Sequence, residues 1–175
     1  QAVTPRTAGF NTMDISKMTE VSKAMIIILM LVGGSPSSTA GGMKVTTFAV
    51  MISVAAAVFQ KRQNGCFFGR RIDDDTVKNA ATVFFMYISL FLLGGIAISK
   101  LENLPLVTCL YESASAVGTV GLTLGITPEL GAISKLILIA QMYIGRVGGL
   151  TLIFAILPAT KNTLSKLPVE KISVG

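Results

Sequence analysis

The sequence contains no histidine, only two cysteines and few charged residues. Charged side chains make up 14% of its 175 residues, whereas hydrophobic side chains make up 51%. Without histidine, the usual general base at neutral pH is missing. Cys66 and Cys109 lie on very different segments, so a thiolate or imidazole metal site has almost no ligands. These absences argue against an enzyme, and we expect no cofactor in this chain.

The composition is that of a membrane protein. Its mean hydropathy is +0.69, and its 17 glycines are typical of membrane helices that pack closely or break. The net charge of +6 could indicate nucleic-acid binding, but the basic residues cluster beside apolar segments with little aromatic interleaving. Membrane topology explains that pattern better, so no nucleic-acid partner is expected. Because the chain begins at Gln1 without a leader, we expect a piece of a longer protein.

The first apolar segment, from about Ala24 to Phe59, is interrupted in its interior. As one helix it would be over ~50 Å long, against roughly 30 Å of hydrocarbon. Its interruption, "GGSPSSTAGG" at Gly33–Gly42, is a poor helix former. Lipid cannot satisfy the hydrogen bonds of irregular backbone, so such a break must face protein or a water-filled cavity. We therefore predict one discontinuous transmembrane helix beside a water-lined pathway.

Two further apolar segments follow. Thr76–Ser99 has the length of a plain spanning helix, and Ala132–Pro158 can span with tilt, with Arg146 near its middle. Between them, Leu104–Leu122 is too short to cross the membrane and return as two helices. This stretch is predicted to form a short re-entrant helix followed by an extended loop.

Charge predicts the orientation of the chain. Basic residues are concentrated between Gln60 and Lys78 and in the tail after Pro158, so both should be cytoplasmic. The run Asp73–Asp75 is predicted to cap the second spanning helix at its N-terminus, with a divalent-metal site as the alternative.

The sequence repeats itself at an offset of 112 positions. Each copy reads as a polar glycine loop, a short linker and an inward-running apolar helix. The aligned pairs are Thr7 with Thr119, Gly9 with Gly121, Ser22 with Ser134, Lys23 with Lys135, Met30 with Met142 and Gly33 with Gly145. Both copies run in the same direction, which predicts units arranged around an axis along the membrane normal.

The repeat also places Arg146 level with Gly34, at the start of the broken stretch. An arginine inside a membrane costs several kcal/mol unless it faces a cavity or a partner. The carbonyls and hydroxyls of Gly33–Gly42 are natural partners for it. The alternative is a structural anchor that holds the third helix in place.

The two glycine loops, "TAGFNT" and "TVGLTLG", are typical of cation-binding loops. Threonine offers a carbonyl and a hydroxyl, and glycine permits the dihedral angles that turn carbonyls inward. A re-entrant helix that ends at such a loop also directs its negative end toward a cation. Two copies in register favour a selectivity filter over a random turn.

The chain resembles the C-terminal half of the Trk/Ktr/HKT family of potassium transporters, and most closely a Ktr-type membrane subunit. The motifs that carry the resemblance are "AVTPRTAGFNT", "GGSPSSTAGGMKVTTF", "FGRRI", "YESASAVGTVGLTLGITP" and "YIGRVGGLT". The resemblance implies an all-α integral membrane protein with four helix–pore-loop–helix repeats in a pseudo-fourfold pore, about two of which are present here. The implied divisions are a third repeat (1–60), a cytoplasmic connection (61–75), a fourth repeat (76–158) and a cytoplasmic tail (159–175).

The resemblance also implies the site residues. The ion-selectivity filter would comprise Thr7, Ala8, Gly9, Phe10, Thr119, Val120, Gly121 and Leu122. Potassium would be bound by the backbone carbonyls of Thr7, Ala8, Gly9, Thr119, Val120 and Gly121. The gate would comprise Gly33, Gly34, Ser35, Pro36, Ser37, Ser38, Thr39, Ala40, Gly41 and Gly42, with Lys44 and Arg146 beside it.

The implied function is potassium uptake across the plasma membrane, under the control of cytoplasmic partners. Similar family members form homodimers on a ring of nucleotide- and NAD-binding regulatory subunits. Both loops depart from a full potassium-channel filter, since Phe10-Asn11 and Leu122-Thr123 replace its tyrosine and second glycine. The outer ring of carbonyls is therefore expected to be absent, with less stringent selectivity as the consequence.

Two alternatives to potassium uptake remain open on the sequence, and a phosphate-binding protein is disfavoured. A sodium or mixed transporter of the same fold would use the same loops, and passive or coupled transport is equally compatible with them. A non-conducting scaffold would use its glycines, such as Gly94-Gly95, only for tight helix packing. A phosphate-binding reading of "GGSPSSTAGGMK" fails because the stretch lacks the P-loop ending and follows no strand.

Overall fold

The computed structural model describes residues 3–11, 14–62, 65–67 and 70–148, which are mainly helical. The predicted tail, 159–175, and the end of the third apolar segment, 149–158, lie outside the described residues. A short 3₁₀ turn, Ile15–Lys17, precedes the first helix. The elements are α1 Glu20–Leu31, α2 Val45–Phe59, β1 Cys66–Phe67, β2 Arg70–Arg71, α3 Asp74–Glu102, α4 Leu106–Val117 and α5 Ala132–Val147. The antiparallel hairpin β1–β2, in the predicted cytoplasmic connection, was not anticipated.

The predicted break in the first apolar segment is present. Helix α1 ends at Leu31 and α2 begins at Val45, with irregular backbone between them. The two ends of this loop are held together, because Gly33 N donates to Met43 O at 2.7 Å and Val45 N donates to Gly34 O at 3.2 Å. The end of α1 and the start of α2 therefore lie side by side where the loop begins and ends.

Helix α3 corresponds to the predicted plain spanning segment. It has 29 residues and is the one helix in the described part of the chain that is long and apolar enough to cross a membrane. Asp73 occupies the N-cap position but forms no capping hydrogen bond with its side chain. Asp74 and Asp75 instead pair with Arg71 and Lys78, each at 3.4 Å. Within the described ranges, no cluster of three potential ligands supports the alternative metal site.

Helix α4 lies at the centre of the structure, and α1, α3 and α5 all pack against it. Every residue from Tyr111 to Val117 is buried. Four consecutive small residues, Ser113–Ala116, let the surrounding helices approach closely, as small residues do in membrane helix packing. This short predicted re-entrant segment is therefore the core against which α1, α3 and α5 pack.

A buried polar network joins three helices at this core. Gln141 Nε2 donates to Leu90 O at 2.8 Å and to Ser113 Oγ at 3.0 Å. Ser113 Oγ in turn donates to Phe91 O at 2.8 Å. Gly94 makes room for this network, because a Cβ there would collide with the Gln141 amide. The predicted packing role of Gly94 is thus confirmed.

Within the described residues, helix α5 ends at Val147, and Gly148 follows with a φ of +88°, a conformation typical of a helix C-terminus. Arg146 therefore lies in the last turn of α5. Its place near the middle of the apolar segment Ala132–Pro158 stays a prediction, because residues 149–158 lie outside the described part of the chain. At the other end, Glu102 Oε1 accepts hydrogen bonds from Gly131 N at 2.8 Å and Ser134 Oγ at 2.6 Å.

We expect Gly94→Ala to destabilise the full-length protein by about 1–3 kcal/mol, because the added methyl group forces Gln141 out of its network. The measurement is the apparent melting temperature of the detergent-solubilised protein. Leu93→Ala is the control, since Leu93 is 68% exposed on the same helix. Equal melting temperatures for Gly94→Ala and the unmodified protein would contradict this account of the packing.

Candidate functional site

The two glycine loops share an unusual backbone. Thr7 and Thr119 have φ values of +63° and +51°, a region in which residues other than glycine are uncommon. Gly9 and Gly121 follow with φ values of +69° and +86°. Helices α1 and α5 then begin at Glu20 and Ala132, which are also 112 positions apart. The sequence repeat therefore corresponds to a repeat in backbone geometry.

The structure brings the two loops into contact. A Cβ placed on Gly9 would lie 2.8 Å from the carbonyl oxygen of Val120, which is closer than side chains approach in proteins. The positive φ of Gly9 and this close contact both favour glycine at the position. Thr7–Phe10 and Thr119–Leu122 are therefore neighbours across one short gap.

The carbonyl oxygens of these loops are left available. No hydrogen bond between described residues ends on them, although four amides of the loops, those of Ala8, Gly9, Thr119 and Val120, donate to other carbonyls. The carbonyls concerned are those of Thr7, Ala8, Gly9, Thr119, Val120 and Gly121. Backbone carbonyls without protein partners are suited to bind water or a cation.

Helix α4 leads directly into the second loop. Its last hydrogen bonds continue past Val117, with Gly118 N to Ala114 O at 2.8 Å, Thr119 N to Ala116 O at 3.1 Å and Val120 N to Ser115 O at 2.9 Å. The C-terminal end of a helix carries partial negative charge. Thr119 therefore follows directly on an end of α4 that attracts cations.

The last residues of the two loops differ in their surroundings. Leu122 is only 3% exposed and packs in the core with Val120 and Ile15, whereas Phe10 is 77% exposed. The structure thus places Leu122 as a core side chain that anchors the loop after its glycine. Phe10 occupies the aligned position without being buried.

The irregular loop between α1 and α2 lies directly against the second glycine loop. A Cβ on Gly41 would collide with the side chain of Thr119, and a Cβ on Gly42 would lie 3.2 Å from Gly118 Cα. Gly42 N also donates to Gly145 O on α5 at 3.2 Å. The second half of Gly33–Gly42 is therefore packed between α5 and the C-terminal end of α4.

Two basic side chains hold the exposed tip of this loop. Lys44 Nζ donates to Ser38 O at 3.2 Å and to Ala40 O at 2.5 Å. Arg146 Nη1 donates to the carbonyl between them, that of Thr39. Arg146 thus contacts the broken stretch, although its partner is Thr39 and not the aligned Gly34. The two basic side chains thus donate hydrogen bonds to three consecutive backbone carbonyls, those of Ser38, Thr39 and Ala40.

Sequence reasoning overlooked one buried acidic residue close to the loops. Glu112 is 4% exposed on α4, and its carboxylate contacts the segment that follows Leu122. The signal for it was a lone carboxylate within a short apolar helix, since such groups are buried only with partners.

The chain matches known cation transport proteins over most of its length. The family described as "TrkH: Cation transport protein" matches residues 1–165. The potassium/sodium uptake protein NtpJ of Enterococcus hirae is 38% identical over 99% of this chain and 40% of that protein. The Ktr system potassium uptake protein B of Bacillus subtilis is 38% identical over 89% and 35%, and that of Vibrio alginolyticus 33% over 100% and 38%.

These similarities confirm the resemblance that the motifs indicated. The chain spans about 40% of the length of the relatives that it matches. The family is one of cation transport proteins, and membership of it implies a membrane location. The match with the family covers nearly the whole chain, and the chain therefore belongs to the TrkH family of cation transport proteins.

Proposed function

We propose that the chain is the C-terminal part of a potassium uptake protein of the plasma membrane, with Thr7–Phe10 and Thr119–Leu122 as two of its four filter segments. The observation that carries this proposal is the pair of contacting loops with matching backbone, whose six carbonyls accept no hydrogen bond from another described residue. Carbonyls of this kind replace the hydration shell of an alkali cation. The names of the relatives, which include potassium uptake proteins, support the choice of ion.

Gly33–Gly42 acts in this proposal as the gate. The loop lies beside Thr119, so an ion that leaves the filter on this side meets it next. The hydrogen bonds from Lys44 and Arg146 stabilise the loop where it lies, and their positive charges also raise the local barrier to a cation. Opening requires these contacts to break together.

The partners are proposed from the relatives. Two of them are named as components of a Ktr system, which supports a separate regulatory subunit that binds a nucleotide or NAD. We place this subunit on the cytoplasmic side, with the connection 61–75 and the tail 159–175, and we propose a homodimeric membrane part. Any nucleotide or NAD then acts through the regulatory subunit.

Sodium or mixed transport is the second candidate. The relative from Enterococcus hirae is named a potassium/sodium uptake protein, and the second filter glycine of potassium channels is replaced here by Asn11 and Thr123. A shorter filter binds fewer ions in sequence and discriminates less between the two cations.

Ion flux into liposomes distinguishes the candidates. We expect the reconstituted full-length protein to take up potassium and rubidium faster than sodium. Comparable rates for potassium and sodium would establish the mixed transporter. Absence of movement for all three ions would refute transport and favour the non-conducting scaffold.

Gly121→Ser should lower the preference for potassium over sodium. Because a Cβ at this site has no neighbour within 4 Å, the effect comes from the φ of +86° and not from a collision. Side chains are disfavoured there by about 1–2 kcal/mol, so the loop relaxes and its carbonyls shift. The measurement is the ratio of potassium to sodium uptake in the full-length protein.

Gly148→Ser is the matched control, because Gly148 has a nearly identical φ of +88° outside the filter. The ratio of the two ions should stay at its original value in this variant. If both variants changed the ratio equally, or neither changed it, the filter assignment would be wrong.

Arg146→Gln and Lys44→Gln should raise the rate of uptake, because each removes a cation that holds the tip of the loop. The double variant should be faster than either single variant, by about tenfold over the original protein if roughly 1.4 kcal/mol of closed-state stabilisation is lost. The measurement is the initial rate of rubidium uptake without regulator.

Lys135→Gln provides the control for this experiment. Lys135 Nζ also donates to a carbonyl, Pro128 O at 2.9 Å, but at the opposite end of α5. Its substitution should leave the rate unchanged. A double variant of Arg146 and Lys44 that transported at the original rate would contradict the role of the loop as a gate.

A further inference from the structure

The segment that follows the second filter loop is organised around one carboxylate. Glu112 Oε1 accepts hydrogen bonds from Thr123 Oγ1 at 2.6 Å and from Leu124 N at 2.9 Å. Its other oxygen, Oε2, accepts a hydrogen bond from Thr127 Oγ1 at 3.0 Å. Gly125 N joins this arrangement indirectly, because it donates to Thr123 Oγ1 at 2.9 Å. Both carboxylate oxygens therefore accept hydrogen bonds from the segment 123–127.

Burial makes these contacts energetically important. Glu112 is 4% exposed on the central helix α4, so a carboxylate oxygen that lost its donor would remain buried without a partner. Hydrogen bonds to a carboxylate are stronger than those between neutral groups. The position of residues 123–127 relative to α4 is thus more strongly determined than that of an ordinary surface loop.

The filter lies between the two ends of this connection. Thr119 follows the end of α4, and Thr123 is bound back to α4 through Glu112, so Val120 and Gly121 are held from both sides. No described residue lies within 4 Å of a Cβ built on Gly121. The backbone of Gly121 is therefore held by its neighbours in the chain, which are the buried side chains of Val120 and Leu122 and the segment bound to Glu112.

The loop side chains that bind Glu112 are not repeated in the first copy. At the same offset of 112, Asn11 replaces Thr123 and Ile15 replaces Thr127. Ile15 is 2% exposed and belongs to the apolar core. The two threonine hydroxyls that donate to the carboxylate are therefore particular to the second glycine loop.

We propose that Glu112 is a positioning residue for ion selectivity. It fixes the outer end of the second filter loop, Thr119–Leu122, by accepting hydrogen bonds from Thr123, Leu124 and Thr127. The inference rests on the proposed transport function and adds a residue to it. Glu112 does not touch the ion. It determines how far the carbonyls of Val120 and Gly121 can move toward a smaller cation.

The test compares Glu112→Gln with Glu129→Gln in the full-length protein in liposomes. Glu129→Gln removes the same charge close to the same outer loop, but Glu129 is exposed and its carboxylate forms no hydrogen bond or ion pair with another described residue. Glutamine at position 112 keeps one acceptor oxygen and replaces the other with an NH₂ group. This NH₂ group then faces a hydrogen-bond donor of the loop, so that hydrogen bond cannot form. We expect the ratio of potassium to sodium uptake to change by about threefold or more in Glu112→Gln, since part of a buried charged hydrogen bond is lost. In Glu129→Gln the ratio should stay unchanged.

Thr127→Val provides the second variant, because it has nearly the same shape and removes one donor while leaving Glu112 intact. It should move the ratio in the same direction as Glu112→Gln, and the apparent KM for the two ions should change by different factors. These readouts would not respond to a merely structural role, which lowers the amount of active protein for both ions alike. If Glu112→Gln cannot be purified as a monodisperse protein, the ratio of potassium to sodium uptake in Thr127→Val, compared with that of the unmodified protein, decides whether the positioning role holds.

The outcomes separate the inference from the function on which it rests. Cation uptake by the unmodified protein, with the same ion ratio in Thr127→Val and in any purified Glu112→Gln, would overturn the positioning role and leave transport intact. A change of equal size in Glu129→Gln would also overturn it, since charge alone would then explain the effect. Absence of cation uptake by the unmodified protein would refute transport itself and, with it, the inference.

Discussion

The close approach of several backbone segments at the C-terminal end of α4 is the constraint on which the structure depends. Gly145 of α5 lies against the carbonyl of Val117, and a Cβ on Gly118 would lie 2.6 Å from the carbonyl oxygen of Met30 on α1. Side chains at these positions would separate the helices by several ångströms. Because they are absent, the end of α4 is surrounded by α1, α5 and the loop between α1 and α2. The same contacts place Gly41 against Thr119, so the packing of the helices also decides which residues lie next to the glycine loops.

Irregular backbone inside a membrane must find its hydrogen bonds within the protein. The two kinds of loop in this chain meet that requirement differently. In Gly33–Gly42, the two ends are hydrogen-bonded to backbone, and the carbonyls of Ser38, Thr39 and Ala40 accept hydrogen bonds from Lys44 and Arg146. The carbonyls of the two glycine loops accept no hydrogen bond from another described residue, so they are available to water or to a cation.

The two copies of the repeat have similar backbone conformations, but they differ in the side chains that hold each loop in place. Thr7 and Thr119, and Gly9 and Gly121, share their dihedral regions, but Leu122 is buried where Phe10 is exposed. The second copy is bound back to α4 by the carboxylate of Glu112 through Thr123 and Thr127, and neither threonine is repeated in the first copy. In the proposed pore, such side chains outside the two glycine loops could adjust each segment separately.

The sequence alone determined the broken first segment, the plain helix now seen as α3, the repeat at 112 positions and the membership of the family. These properties follow from local composition and spacing, which glycine, proline and apolar runs express directly. It also indicated that Arg146 would meet the broken stretch, because register places both at one depth. Only the tertiary structure decided that Thr39 is the partner, that α5 ends before Gly148, that Leu122 is a core residue and that Glu112 holds the outer loop. Such features depend on which atoms meet after the helices have packed, and one-dimensional spacing does not contain that information.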